Sequence, residues 1–129
     1  MENLNVMLVD DSTVVIRVLS SILTKLGHKV VGTAHTGAEA VTAYTVCNPD
    51  VVIMDITMPG MDGIEATEKI VASHPDARII VATSHAEKNV VLKARSAGAR
   101  SYILKPTNPD KLRATLEDVM KADLHMLDT

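Results

Sequence analysis

The stretch Val51-Val52-Ile53-Met54-Asp55-Ile56 is an apolar run that contains one carboxylate. Val and Ile dominate this run and the later run Arg78–Ala82, as is typical of strands buried on both faces of a parallel sheet. A buried carboxylate costs several kcal/mol unless it is paired or coordinates a metal. The stretch therefore predicts a buried parallel strand and makes Asp55 a candidate functional residue.

Short apolar runs alternate with longer segments of helical period along the chain. Strands are predicted at Asn5–Val9, Lys29–Thr33, Val51–Met54, Arg78–Ala82 and Ser101–Leu104. Helices are predicted at Ser12–Leu26, Gly37–Cys47, Glu65–Ser73, Lys88–Ala97 and Asp110–Ala122. Ser12 is the expected N-cap of the first helix, and Gly27 is its expected stop. Five strands that are each followed by a helix predict a (βα)5 fold of the α/β class, a doubly wound parallel sheet between two layers of helices.

Length and composition bound the class of protein. At 129 residues the chain has the size of one domain, with a core predicted at about 5–122 and a frayed tail at 123–129. Two Tyr and no Phe or Trp argue against a protein that stacks nucleic-acid bases, and Tyr44 is expected at the surface. The single cysteine, Cys47, forms no intrachain disulfide, which favours a reducing, cytoplasmic location. No apolar run approaches the roughly 18 residues that span a bilayer, so membrane insertion is not expected.

The net charge of −3 is unevenly distributed along the chain. Residues 1–87 carry a balance of −6, and residues 88–129 carry a balance of +3. Such a split marks either a partner surface or two solvated faces of one domain. The basic excess is too small to indicate direct binding of nucleic acid.

The predicted strands end in residues that carry chemistry. Asp10 and Asp11 follow the first strand, Asp55 the third, Thr83 the fourth and Lys105 the fifth. Ligands bind at the carboxyl ends of the strands in an open parallel sheet, so these side chains are expected to share one edge. For any one Asp alone, a turn or cap is the commoner role. Three carboxylates together, however, require positive charge among them.

Lys105 supplies one positive charge, which does not balance three carboxylates. The five His residues show no metal-type spacing, so a hard cation in an all-oxygen site is favoured over zinc. Mg²⁺ leaves positions open for phosphate oxygens, which indicates phosphoryl chemistry. Asp55 would then be the nucleophile that forms an acyl phosphate, with Lys105 and Thr83 on the phosphoryl oxygens. The chain has no GxxxxGK[ST] or GxGxxG loop, so the phosphoryl group is expected to arrive on another molecule.

From about residue 5 to residue 120, the chain resembles a response-regulator receiver domain of the stand-alone, CheY-like kind. Four segments carry the resemblance, in the right order and at the right strand ends: Leu8-Val9-Asp10-Asp11-Ser12, Met54-Asp55-Ile56-Thr57-Met58-Pro59-Gly60-Met61-Asp62-Gly63, Ala82-Thr83-Ser84, and Ala97-Gly98-Ala99 through Tyr102 to Lys105-Pro106. The resemblance implies the flavodoxin-like strand order 2-1-3-4-5. One departure is Thr107, because many relatives carry an aromatic residue after Lys-Pro.

The resemblance also implies the chemistry of the site. Asp55 would accept a phosphoryl group from the phospho-His of a histidine kinase or phosphotransfer protein. Mg²⁺ would be held by Asp10, Asp11, Asp55 and the backbone carbonyl of Thr57. Lys105 would contact the phosphoryl group, and its bond to the following proline would be cis.

Two further residues are implied to act as a switch. Thr83 would move toward the phosphoryl group, and Tyr102 would follow by changing rotamer. A downstream protein would then bind the face formed by the fourth helix, fifth strand and fifth helix, where this chain is basic.

The resemblance further implies that His85 and Thr57 hold positions that tune the access of water to the acyl phosphate in this family. From the residues alone, packing for Tyr102 and a surface role for His85 are the simpler explanations.

Three other interpretations remain open. The first is a Mg²⁺-dependent phosphatase that forms an aspartyl phosphate, although enzymes of the haloacid dehalogenase type place a second Asp where this chain has Thr57. The second is a flavodoxin-like cofactor binder, which the few aromatic rings and the acidic edge disfavour. The third is the receiver part of a longer regulator with an output domain.

Overall fold

The computed structural model describes residues 3–85 and 87–127, and of their side chains those of residues 3–85 and 87–121. Strands and helices alternate along these residues. The strands are β1 Asn5–Val9, β2 Lys29–Ala34, β3 Val51–Asp55, β4 Ile79–Thr83 and β5 Ser101–Leu104. The helices are α1 Thr13–Lys25, α2 Gly37–Cys47, α3 Gly63–Ser73, α4 Lys88–Ala97 and α5 Pro109–Leu127. None of these helices combines the length and the apolar character needed to cross a bilayer.

The strands form one parallel sheet in the order β2-β1-β3-β4-β5, which confirms the predicted fold. Every residue of β3 and of β4 is buried, as their Val- and Ile-rich sequences predict. In the strand register Val9 lies beside Met54, and Asp55 lies beside Ala82. The carboxyl ends of β1, β3 and β4 therefore reach the same edge of the sheet.

The side chains of the sheet alternate between two apolar layers. Met7 and Met54 point into the layer shared with α2 and α3, where Ile70 is buried. Leu8 and Ile53 point into the opposite layer, which is shared with α1 and α5. Each fully buried side chain of this size contributes roughly 1.5–3 kcal/mol to folding. These two layers hold the sheet rigid and so fix the positions of the residues that follow the strands.

Capping residues and a glycine determine where helices α1 and α3 begin and where α1 ends. Ser12 is the N-cap of α1, and its hydroxyl accepts the N–H of Val15 at 3.3 Å. Gly27, just after this helix, has a φ of +91°, a conformation that favours glycine. Helix α3 begins two residues earlier than predicted, because the Asp62 carboxylate accepts the N–H of Glu65 at 2.9 Å and caps it.

The predicted end of the fifth helix at Ala122 was wrong by five residues. Helix α5 continues to Leu127, and residues 128–129 lie outside the described residues. The physical reason is that no glycine or proline follows Ala122 to stop the helix. At the other end, the helix begins at Pro109, and Asn108 accepts the N–H of Lys111 at 2.9 Å.

The expectation that Tyr44 lies at the surface was also wrong. Tyr44 is buried on the inner face of α2, one helical turn after the buried Ala40. Its ring packs against that of His74 at a centroid distance of 4.8 Å. The burial of its ring raises the pKa of Tyr44.

His28 is a buried titratable side chain that lies outside the group of residues at the carboxyl edge of the sheet. Its Nδ1 accepts the backbone N–H of Leu4 at 3.0 Å, so the proton of the neutral ring lies on Nε2. Nε2 is buried and has no hydrogen-bond partner among the described residues. Burial lowers the pKa of His28 in the folded protein, because the charged ring is poorly solvated there.

We expect the free energy of unfolding to fall when the pH is lowered from 7 to 5. The stabilisation by neutral His28 is complete above its ordinary pKa of 6.5 and is lost as the pH falls from there toward the lowered folded value. In His28→Asn, the amide oxygen still accepts a backbone N–H but does not titrate. Urea denaturation at both pH values should therefore show a smaller loss of stability in the variant. Equal losses in the two proteins would contradict the role of His28.

Candidate functional site

The carboxyl edge of the sheet brings together the residues that the sequence singles out. Asp10 and Asp11 follow β1, Asp55 is the last residue of β3, and Thr83 is the last residue of β4. Lys105 follows β5, and its bond to the next residue, a proline, is cis. Asp10 and Asp55 are only 2% and 3% exposed, so two carboxylates are buried side by side.

Lys105 lies between the two buried carboxylates. Its Nζ donates to Asp10 Oδ2 and to Asp55 Oδ1, both at 3.0 Å. Burial opposes the charge of Lys105, but the hydrogen bonds to Asp10 and Asp55 outweigh it and raise the pKa of the ammonium. Lys105 is therefore charged at neutral pH and supplies part of the positive charge that these carboxylates require.

The charge balance around Asp55 remains unfavourable. Burial raises the pKa of Asp55, and the neighbouring Asp10 raises it further, although the hydrogen bond from Lys105 acts in the opposite direction. The backbone N–H of Thr57 also donates to Asp55 Oδ1, at 3.4 Å. An ionised Asp55 is thus costly in the folded chain, and further positive charge beside it would be stabilising.

The acidic cluster places three carboxylate oxygens close enough together to hold one metal ion. One carboxylate oxygen from each of Asp10, Asp11 and Asp55 lies within 4.8 Å of the other two. An all-carboxylate donor set fits a hard cation such as Mg²⁺ and does not fit zinc, which prefers nitrogen and sulfur ligands. Asp11 is exposed, so the cluster is open to solvent on one side.

Thr83 lies at the same edge, and the chain that follows β4 holds its hydroxyl. Thr83 Oγ donates to the backbone carbonyl of His85 and accepts the backbone N–H of His85, both at 3.1 Å. Thr83 is buried, whereas Ser84 and the His85 side chain are exposed. Any movement of the Thr83 hydroxyl toward Asp55 must therefore break its hydrogen bonds to the segment that leads into α4.

Tyr102 lies on β5, away from the acidic cluster. It pairs with Val81 of β4 in the strand register and is 43% exposed. A small cavity beneath α4 is lined by Tyr102 together with Val81, Val91 and Ala94. Tyr102 therefore stands at the rim of a space between α4 and the sheet.

Sequence reasoning missed two residues that support the site. An added Cβ at Gly63 would overlap the backbone carbonyl oxygen of Asp55, and the N–H of Gly63 donates to the carbonyl of Ile56 at 2.9 Å. Nδ1 of His35 lies 3.2 Å from the carbonyl oxygen of Asp10. The sequence pair Asp62-Gly63 could have indicated the contact of Gly63 with the end of β3. No sequence pattern indicates the contact of His35 with Asp10.

Comparisons with known proteins agree with the observed fold. Residues 6–117 match the response regulator receiver domain family. The chain is 41% identical over 116 residues to the chemotaxis protein CheY of Thermotoga maritima, across 90% of this chain and 97% of that protein. It is 40% identical over 117 residues to the response regulator UvrY of Escherichia coli, across 90% of this chain and 54% of that protein.

The fold also matches a solved structure, that of the CheX–CheY–BeF3–Mg²⁺ complex from Borrelia burgdorferi. The TM-score is 0.86 and the identity is 35%, across 90% of this chain and 88% of that one. Receiver domains bind Mg²⁺ at an acidic pocket, and they are signalling domains that are generally not classed as enzymes. The chain belongs to the response regulator receiver domain family, and its homology to CheY and other response regulators is consistent with a phosphoacceptor signalling switch in two-component systems.

Proposed function

We propose that Asp55 is the phosphoacceptor of this switch and that its donor is the phospho-His of a histidine kinase or phosphotransfer protein. The observation that carries the proposal is the buried Asp55 carboxylate, 3.0 Å from the Lys105 ammonium and next to Asp10 and Asp11. No other described group of His, Cys, Asp or Glu residues forms such a cluster.

The transfer itself requires little of the protein beyond positioning and charge. A carboxylate oxygen of Asp55 attacks the phosphorus, an O–P bond forms, and the P–N bond to the donor imidazole breaks. The leaving imidazole takes up a proton from solvent. Lys105 is already within reach of Asp55 and would follow the transferred phosphoryl oxygens. Mg²⁺, held by Asp10, Asp11, Asp55 and the Thr57 carbonyl, would neutralise their charge when bound.

Catalysis on outside substrates is not part of this proposal. A phosphatase of the aspartyl-phosphate type needs an acid to protonate its leaving group, and position 57, two residues after Asp55, is Thr. The hydroxyl of Thr57 is not an acid at neutral pH. The domain would thus assist its own phosphorylation and dephosphorylation and would act through its shape.

The output would pass through Thr83 and Tyr102 to the face formed by α4, β5 and α5. A new phosphoryl charge at Asp55 offers the Thr83 hydroxyl a stronger acceptor than the His85 backbone. The loop before α4 would then be released, and Tyr102 would turn into the cavity beneath this helix. The α4–β5–α5 face carries exposed Leu92 and Leu104 among basic side chains, which fits a downstream protein partner with apolar and acidic groups. We propose neither nucleic acid nor a membrane as a direct partner.

We further propose that residues 1–129 form one receiver domain. The coverage of 97% of the Thermotoga maritima CheY supports this choice. The alternative is that the chain is the receiver part of a longer regulator. This alternative stays open because the match covers only 54% of UvrY, which is a longer response regulator.

The proposal is tested by exposing the purified protein to acetyl phosphate with Mg²⁺ and measuring its intact mass. We expect a single phosphoryl adduct, which is lost when EDTA replaces the metal, because the negative charges of donor and site then repel each other. Two adducts, or an adduct that forms equally well with EDTA, would contradict the proposal. Rapid release of inorganic phosphate over many turnovers from simple phosphate esters would instead favour the phosphatase.

A further inference from the structure

The backbone of Asp10 is held on both sides by the end of β2. Its N–H donates to the carbonyl of Ala34 at 3.1 Å, and its own carbonyl lies 3.2 Å from Nδ1 of His35. Because a carbonyl oxygen only accepts hydrogen bonds, Nδ1 of His35 must carry the proton and donate. The peptide that joins Asp10 to Asp11 is therefore tied to the His35 ring.

The backbone of His35 is itself tied to the start of α2. Its N–H donates to Oε2 of Glu39 at 3.0 Å, and the N–H of Glu39 donates to the hydroxyl of Thr36 at 3.1 Å. This arrangement resembles a capping box shifted by one residue, and it fixes residue 35 relative to the first turn of the helix. The helix terminus thus positions the ring that holds the Asp10 carbonyl.

The same peptide plane determines where the Asp11 side chain leaves the backbone. The carboxylate of Asp10 is fixed by the N–H of Ser12 at 2.9 Å and by Lys105 at 3.0 Å. The exposed carboxylate of Asp11 accepts no hydrogen bond from the described residues. Its position in the acidic cluster therefore depends on the orientation of the peptide between residues 10 and 11.

We infer that His35 is a positioning residue for the metal site, which it supports through the hydrogen bond from Nδ1 to the Asp10 carbonyl. This inference rests on the proposed function, because it assumes that Asp10, Asp11 and Asp55 hold Mg²⁺. His35 itself is not a ligand. Its effect is to reduce the conformational freedom that Asp11 loses when the metal binds.

The test is a titration of the unphosphorylated, ¹⁵N-labelled protein with MgCl₂, followed by the amide shifts of Asp11 and Asp55. We expect His35→Ala to weaken Mg²⁺ binding about three- to tenfold, the range expected for one net hydrogen bond. His35→Asn should keep nearly the wild-type affinity, because its amide N–H₂ occupies the place of Nδ1. His35→Gln, whose amide lies farther along the side chain, should behave as His35→Ala does.

A second measurement separates positioning from a loss of folding. The thermal midpoints of the three variants in EDTA should lie within a few degrees of one another, while their Mg²⁺ affinities differ. Wild-type affinity in His35→Ala, or equal weakening in His35→Asn and His35→Ala, would overturn the inference and leave the metal site intact. Failure of the wild-type protein to bind Mg²⁺ at the acidic cluster would overturn the proposed function and this inference together.

Discussion

Replacing Asp55 with Asn is expected to abolish the phosphoryl adduct and, at the same time, to make the unphosphorylated protein more stable. The loss of the adduct follows because the neutral amide is not a nucleophile toward phosphorus. The gain in stability follows because Asp55 is buried beside Asp10, with one ammonium shared between the two carboxylates. Sites built for function commonly carry such a cost in stability.

The direction of the stability change comes from the pKa of Asp55. Burial raises this pKa above its ordinary value of 3.8, so folding favours the protonated carboxyl over the ionised one. The stabilisation that the protonated group contributes is present below pH 3.8 and is lost as the pH rises through the raised folded value. At neutral pH the ionised group is therefore destabilising. An Asn side chain has the same shape without the charge.

The measurement combines intact mass after treatment with acetyl phosphate and Mg²⁺ with thermal unfolding in EDTA at neutral pH. Asp55→Asn should show no adduct and a thermal midpoint that is higher by a few degrees. Asp62→Asn is the matched control, because Asp62 is an exposed helix cap outside the acidic cluster and Asn caps a helix equally well. This control should keep both the adduct and the wild-type midpoint. An adduct on Asp55→Asn would refute the assignment of the phosphoacceptor, and a lower midpoint would refute the electrostatic argument.

Most of the fold could be predicted from the sequence, because runs of apolar residues mark the strands that are buried. In β3 and β4 every residue before the last is apolar, and both strands are completely buried. Once parallel strands are predicted, the residues that follow them must meet at one edge. The grouping of the acidic residues with Lys105 could therefore be predicted without coordinates.

What could not be predicted depends on single contacts between distant segments. The burial of Tyr44 depends on which face of α2 meets His74, a residue that lies 30 positions later in the chain. The contact between the His35 ring and the Asp10 carbonyl joins the ends of two strands and has no local pattern. The predicted start of α3 was wrong for a related reason, since the true start is set by one hydrogen bond to the side chain of Asp62.

A single methyl group added at Gly63 is expected to cost about 3 kcal/mol or more of stability and most of the phosphorylation rate. Gly63 opens α3 directly behind the end of β3, and a Cβ there would overlap the carbonyl oxygen of Asp55. The obstacle is backbone at the end of a fully buried strand, so no side chain can rotate away to make room. To remove this overlap, either α3 must move outward or Asp55 must move. A movement of Asp55 displaces the phosphoacceptor from Lys105.

Gly60→Ala is the control that separates crowding from backbone conformation. Gly60 lies in the same loop with a φ of +74°, but no atom lies within 4 Å of an added Cβ. Its substitution carries the cost of a left-handed conformation, about 1 kcal/mol, and leaves Asp55 undisturbed. Urea denaturation and the rate of adduct formation should therefore rank the proteins as wild type, then Gly60→Ala, then Gly63→Ala far below. Equal effects at the two glycines would mean that loop flexibility, and not the close approach of α3 to β3, supports the phosphoacceptor.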